Sequence, residues 1–485
     1  MSGATLRGLA LRTLLPAFPG TTVPDWFLRL LEQGLGGVAL FGANIASAEQ
    51  VAAMTAAMRV ARGDVIVATD EEGGDVTRLC YAHGSPYPGN AALGVVNDVV
   101  LTRHVYAAIG AELAAVGVTL DMAPAVDVNS SDDNPTIGTR SFGVDPTLVA
   151  AHAAAAVSGL QLAGISACAK HFPGHGATEE DSHFDLPIVD ASMELLWRRE
   201  LPPFQAAIAA GVRSIMTAHI RVPALTGDLP ATFSPEALIT LLRKDLGFGG
   251  AIVSDALEMQ GASGAIGVPE AAVRALVAGN DLLCFGGELV KEPDTVALEL
   301  IEATASAIVE AVRVGRLTDD RLAEAAARNA LLGTTSVSER VNGQDLDLGL
   351  AAARRALRIE GTLPARGGLV VQLEPPANIA VGEVPWGLAP HVSEVMLASS
   401  DEPAAGVVEV IAARAAGRPI LIVSRDTHRH PWARQIVEQL SARHPAVVLV
   451  EMGWPSPWRP QGAIAYVASY GAARANGRAV AEALV

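Results

Sequence analysis

Residues 170–183 read KHFPGHGATEEDSH, a run that crowds His171, His175 and His183 around a lysine and the carboxylates Glu179, Glu180 and Asp181. Three chemistries compete for such a stretch. Two histidines four apart share one face of a helix and suit zinc. Here Pro173-Gly174 stands between His171 and His175 and breaks that helix, so the spacing argues against a metal. A scaffold role suits Pro173, Gly174 and Gly176, which shape turns. It leaves Lys170, at the end of an apolar run, and the Asp181-Ser182-His183 triplet without a purpose. Acid–base chemistry gives them one: Asp181 orients His183 and stabilises its imidazolium, so the ring can donate and recover a proton near neutral pH. The matching nucleophile is Asp255, in the stretch IVSDALEM, where a carboxylate ends an otherwise apolar strand. No Gly-x-Ser-x-Gly elbow and no phosphate-cradling P-loop offers a rival.

These residues need elements to hold them. Short aliphatic runs at 37–42, 65–70, 118–128, 165–171, 214–220, 251–257 and 281–286 alternate with Ala-rich stretches such as 47–62, 146–163 and 268–279. With a first strand near 9–15 the count reaches eight, which predicts a (β/α)8 barrel of the TIM type, with a doubly wound open sheet as the other candidate. Asp70, Asp127, Lys170 with His171, His219 and Asp255 all fall at predicted C-terminal strand ends, the catalytic face of a barrel. The reading places the barrel at 1–335, a more polar linker at 336–365, and a smaller α/β sandwich at 366–485 with strands at 368–374, 419–424, 446–452 and 463–469.

Composition limits the partners. The net charge of −17 opposes a nucleic-acid partner, because a polyanion needs a basic surface. Only Cys80, Cys168 and Cys284 are present, which suits a reducing compartment. The first twenty residues carry Arg7, Arg12, Pro16 and Pro19 among their apolar positions, a pattern of neither signal peptide nor membrane span. The expectation is a cytoplasmic protein with no membrane partner.

Together the motifs resemble glycoside hydrolase family 3, in its β-N-acetylglucosaminidase branch. KHFPGHG, DSH and SDALEM stand in that branch's order, and DEEGGDVTRL (70–79) and NPTIGTRSFG (134–143) match two further segments. The resemblance implies Asp255 as nucleophile, His183 as general acid/base assisted by Asp181, and Asp70, Arg140, Lys170 and His171 as sugar-hydroxyl contacts. His219 joins the substrate contacts on its strand-end position. Asp75 departs from the pattern, since many relatives carry a basic residue there. The implied activity is a retaining exo-β-N-acetylglucosaminidase acting on N-acetylglucosamine-containing glycans or peptidoglycan fragments, with no cofactor or metal. Alternatives are a phosphorylase that uses inorganic phosphate as acceptor, a β-glucosidase of the same family, and a silent sugar-binding protein.

Overall fold

The structure is a computed structural model that describes residues 3–179, 186–264, 266–334, 346–365, 367–376 and 378–484. The chain divides into two compact units. The first comprises Met1–Glu71, Thr102–Val128 and Val144–Gln344; the second comprises Glu72–Leu101, Asn129–Gly143 and Asp345–Val485.

The first unit alternates strands and helices. Its strands are β1 (Leu14–Pro16), β2 (Gly37–Leu40), β3 (Ile66–Thr69), β4 (Leu120–Asp121), β5 (Ser166–Phe172), β6 (Ser214–Thr217), β7 (Ala251–Ser254) and β8 (Leu283–Phe285). Strands β2 to β7 pair in chain order, every ladder parallel. A bridge between Val253 and Leu282 continues the sheet to β8, which pairs in parallel with β1. Strands covered on both faces read as unbroken apolar runs, and GVAL, IVAT and AIVS are buried at each position. The sheet curls so that Leu15, Ala39, Ala68, Leu120, Cys168, Met216, Val253 and Cys284, one from each strand, join a single buried cluster.

Local sequence sets the helices between them. In the helix Pro146–Leu162, Asp145 caps the first turn by accepting from Thr147 N at 2.8 Å, and Pro146 occupies the first helical position. Val149, His152, Ala153, Ala156, Val157 and Leu160 then form its buried stripe. The run expected as a strand over 118–128 forms a continuous ladder at Leu120–Asp121 and then a single parallel bridge from Ala125 to Lys170. Pro124 has no N–H for a ladder, yet Val126 N still donates to Lys170 O at 2.7 Å, so the chain stays beside β5 up to Asp127.

The second unit is built on a six-stranded sheet. It contains β9 (Arg358–Gly361), β10 (Leu369–Glu374), β11 (Met396–Ser399), β12 (Ile420–Ser424), β13 (Val447–Glu451) and β14 (Ala465–Ala468), ordered β11-β10-β12-β13-β14-β9. All pairs are parallel except β14–β9. One face packs on the helices Ala404–Ala415 and Pro431–Arg443. The other packs on the helix Arg474–Leu484. The helix Leu346–Ala356 and β9 lie in the stretch expected as a linker. Every residue of β9 is exposed, so it carries no apolar alternation by which to recognise a strand.

Segments 72–101 and 129–143, which the sequence reading assigns to the first domain, cluster with this second sheet. Asp75 shows how. Its Oδ2 accepts from Thr139 Oγ1 at 2.8 Å and its Oδ1 from Ala472 N at 2.7 Å, tying both segments to the chain beyond β14. Burial pushes its carboxyl up, against the charge of Arg425. No helix among the described residues is long and apolar enough to cross a membrane.

Candidate active site

In the first unit the chemistry-bearing side chains gather at the C-terminal ends of neighbouring parallel strands. Lys170, 2% exposed near the end of β5, donates from Nζ to Asp70 Oδ1, just past β3, at 2.7 Å. A lysine so buried needs a carboxylate partner, because an unpaired ammonium out of water is costly. His171 follows. Its Nδ1 donates to Asp127 Oδ2 at 2.8 Å, while the backbone amides of His171 and His175 donate to Asp127 Oδ1 at 3.2 and 2.7 Å. One carboxylate thus fastens the histidine loop at three points and sets the His171 tautomer. Burial alone would raise the Asp127 carboxyl; the charge and hydrogen bond of His171, then His175, outweigh it and hold the carboxyl below its usual range.

His175 is buried, with Nδ1 2.8 Å from Thr178 Oγ1. Burial, then the charge of His171, pushes its imidazole down to about 4, with Asp127 and Asp255 opposing. The ring is neutral at physiological pH. Between the histidines, Gly174 has a φ of 130°, and a Cβ there would lie 2.7 Å from Glu200 Oε2. Glycine is required on both counts.

Asp255 directly follows β7. Its Oδ1 accepts from Ala256 N at 2.8 Å, and its own amide donates to Thr217 O at 3.3 Å. His219 is fully buried: Nε2 donates to Ala256 O at 3.0 Å, and Nδ1 lies 2.8 Å from Thr232 Oγ1. Expected as a substrate contact, it has both ring nitrogens engaged inside the protein and holds the backbone just after Asp255. Arg140 lies in the second unit. It forks onto Glu72, with Nε to Oε2 at 2.9 Å and a terminal nitrogen to Oε1 at 2.7 Å. Asp181 and His183 lie outside the described residues.

Sequence reasoning gave no role to four carboxylates. Asp127 was visible as a strand end, but its partners are 44 and 48 positions away. Glu72 adjoins the double glycine and is read there as part of a motif; its bond to Arg140 spans 68 positions. Glu258, three residues past Asp255, accepts from the amides of Gly286 and Gly287 at 2.9 and 2.5 Å. Burial raises its carboxyl, and the charge of Asp255 adds to that. Glu200, 1% exposed behind Gly174, is pushed up to about 7 by burial, against the charge of Arg199.

Paired carboxylates, a buried lysine and loop histidines along one edge of a parallel α/β sheet suit binding of a polyhydroxylated substrate and attack on carbon. Comparison with known proteins defines the class. The family model described as "Glycosyl hydrolase family 3 N terminal domain" matches residues 27–331. The chain belongs to glycosyl hydrolase family 3. It is 33% identical over 337 residues to "Beta-hexosaminidase A" of Pseudoalteromonas piscicida, an alignment covering 65% of this chain and little more than half, 56%, of that relative. It is 40% identical over 256 residues to "Beta-hexosaminidase" of Methylococcus capsulatus (strain ATCC 33009 / NCIMB 11132 / Bath), covering 52% of this chain and 76% of the relative. Among solved structures it resembles a glycoside hydrolase family 3 beta-N-acetylglucosaminidase from Paenibacillus sp. str. FPU-7. There the TM-score is 0.85 and the identity 29%, over 99% of this chain and 96% of the other.

Proposed function

We propose that the protein is a retaining exo-β-N-acetylglucosaminidase that removes terminal β-linked N-acetylglucosamine from small glycans or peptidoglycan fragments. The observation that carries this reading is the position of Asp255 at the C-terminal end of β7, on the sheet edge that also bears the Asp70–Lys170 pair and the Asp127–His171 pair. The names of the relatives, beta-hexosaminidase and beta-N-acetylglucosaminidase, support the substrate class. The curled sheet of eight parallel strands is best read as a (β/α)8 barrel within 1–335, and the second sheet, whose edge strand β9 lies in the 336–365 stretch expected as a linker, as an α/β sandwich completed by 366–485. A cytoplasmic location is proposed on cysteine usage.

In the proposed reaction an Asp255 carboxylate oxygen bonds to the anomeric carbon as the bond to the leaving oxygen breaks. His183, oriented by Asp181, gives that oxygen its proton. In the second half His183 takes a proton from the incoming acceptor, whose oxygen displaces Asp255 with a second inversion, so configuration is retained. Asp70 and Lys170 hold sugar hydroxyls as acceptor and donor, His171 joins them, and Arg140 is given the same task on its motif alone.

The proposed acceptor is water. A neutral histidine base spares a phosphate acceptor the repulsion that a carboxylate base would exert. The cations that would attract it, however, are taken: Lys170 pairs with Asp70 and Arg140 with Glu72. The test is product analysis on a chromogenic N-acetylglucosaminide with and without millimolar phosphate. Free N-acetylglucosamine under both conditions is expected. A sugar 1-phosphate formed at a rate that saturates with phosphate would replace the hydrolase reading with a phosphorylase.

A further inference from the structure

In the second unit a cavity of about 400 Å³ is lined by Pro86, Leu350, His391, Arg474, Ala475 and Arg478. Arg474 and Arg478 stand one turn apart on the helix Arg474–Leu484, so both side chains emerge on one face. The His391 ring is seated against that helix at Gly477, where a Cβ would come within 3.2 Å of its Cδ2. His391 Nε2 is buried and has no hydrogen-bond partner among the described residues. The local charge is unbalanced. Glu482 is the nearby acid, and it is shared between Arg354 at 2.7 Å and Arg478 at 3.2 Å. Arg474 pairs with no carboxylate among the described residues. Arg354 and Arg478 thus share one carboxylate, while Arg474 and His391 line the cavity without one among the described residues, in a chain whose net charge is −17. A half-buried cation without a counter-ion is costly, and an anion entering the cavity would recover that cost. The rest of the wall, Pro86, Leu350 and Ala475, is apolar.

We propose that this cavity binds an oxyanion, a carboxylate or phosphate, carried on a compact apolar body. Arg474 forks onto the anion, Arg478 and the protonated His391 ring, through Nε2–H, donate to it, and the body lies against Pro86 and Leu350. The proposal does not rest on the glycosidase reading. His391 is a built-in reporter. Burial and, against the pull of the Arg474 backbone, the charges of Arg474 and Arg478 hold its imidazole below the ordinary range, while Glu482 opposes them. A bound anion cancels part of that positive field, so the ring then titrates at higher pH.

The experiment follows the His391 ring by NMR in the full-length protein, assigned with His391→Gln, while phenyl phosphate, benzoate, inorganic phosphate or neutral benzyl alcohol is added. Phenyl phosphate, benzoate or both should give a saturable shift and raise the His391 pKa by about half a unit. The tighter of the two identifies the anion, and inorganic phosphate should bind more weakly than phenyl phosphate. Arg474→Ala should weaken binding by roughly tenfold or more, with Arg474→Lys between it and the parent. No saturable response of the parent protein to either organic anion would overturn the proposal. So would an equal response to benzyl alcohol, or unchanged affinity in an Arg474→Ala protein that unfolds at the parental temperature.

Discussion

At the scale of single residues, the site is a set of carboxylates that each decide what a neighbour can do. Asp127 is the clearest case, because it receives two backbone amides and the His171 ring. Asp127→Asn keeps the volume but replaces one acceptor oxygen with a donor and removes the charge that His171 Nδ1–H points to. A charge-assisted hydrogen bond of this kind is worth about 1.5–3 kcal/mol, so kcat/KM should fall about 10- to 100-fold. Kinetics on a chromogenic N-acetylglucosaminide checks this; a parental kcat/KM in a folded variant would reduce Asp127 to scaffold. Much of this set was legible beforehand. Asp70, Lys170, His171 and Asp255 end apolar runs, and a polar residue there stands out against its own strand. Asp127 and Glu258 bear the same chemistry, but their roles come from partners that only folding brings near. His219 also stands at a strand end. Its strand-end position suggested a substrate contact, whereas Thr232 and Ala256 already engage both ring nitrogens.

Among the elements, the histidine loop is pinned from Asp127 and backed by Glu200, which sits in the irregular helical segment Leu196–Glu200. Gly174 has room for no side chain because Glu200 fills that space. The folded pKa of Glu200, about 7, lies above the ordinary 4.5, and burial is the main cause. Its stabilising contribution is therefore full below pH 4.5 and is lost as pH rises through about 7, where folding must bury a charge. A displacement of that size corresponds to roughly 3 kcal/mol. Glu200→Gln, which stays neutral, should gain stability relative to the parent as pH rises from 5 to 8, by up to about that amount. Urea midpoints across the range check it, and a difference independent of pH would contradict it. Elements whose burial is patterned were legible: β3, β5 and the helix Pro146–Leu162 fall within a residue or two of expectation, and β7 starts where expected and ends three residues early, just before Asp255. The exposed β9 and the two-residue β4 were not, since one lacks an apolar face and the other is set by its neighbours rather than by its own run.

For the whole molecule, the consequential surprise is that segments between the strands of the first unit pack with the second sheet. Composition gives no sign of it, because the segments are short and their anchor, Asp75, reads as a departure from a motif. Asp75→Ala would leave Thr139 Oγ1 and Ala472 N without their acceptor and should cost about 2–4 kcal/mol. A calorimetric scan should show this as a lowered unfolding temperature, and an unchanged one would remove Asp75 from the clamp. The central claim concerns the covalent step, and it is tested most directly on the intact enzyme. A 5-fluoro N-acetylglucosaminyl fluoride should inactivate the protein with time and raise its mass by one sugar. Peptide mapping should place that sugar on Asp255, and Asp255→Ala should take up none while losing ~10^4-fold or more of its turnover. Labelling of another carboxylate, or undiminished turnover by Asp255→Ala, would contradict the account.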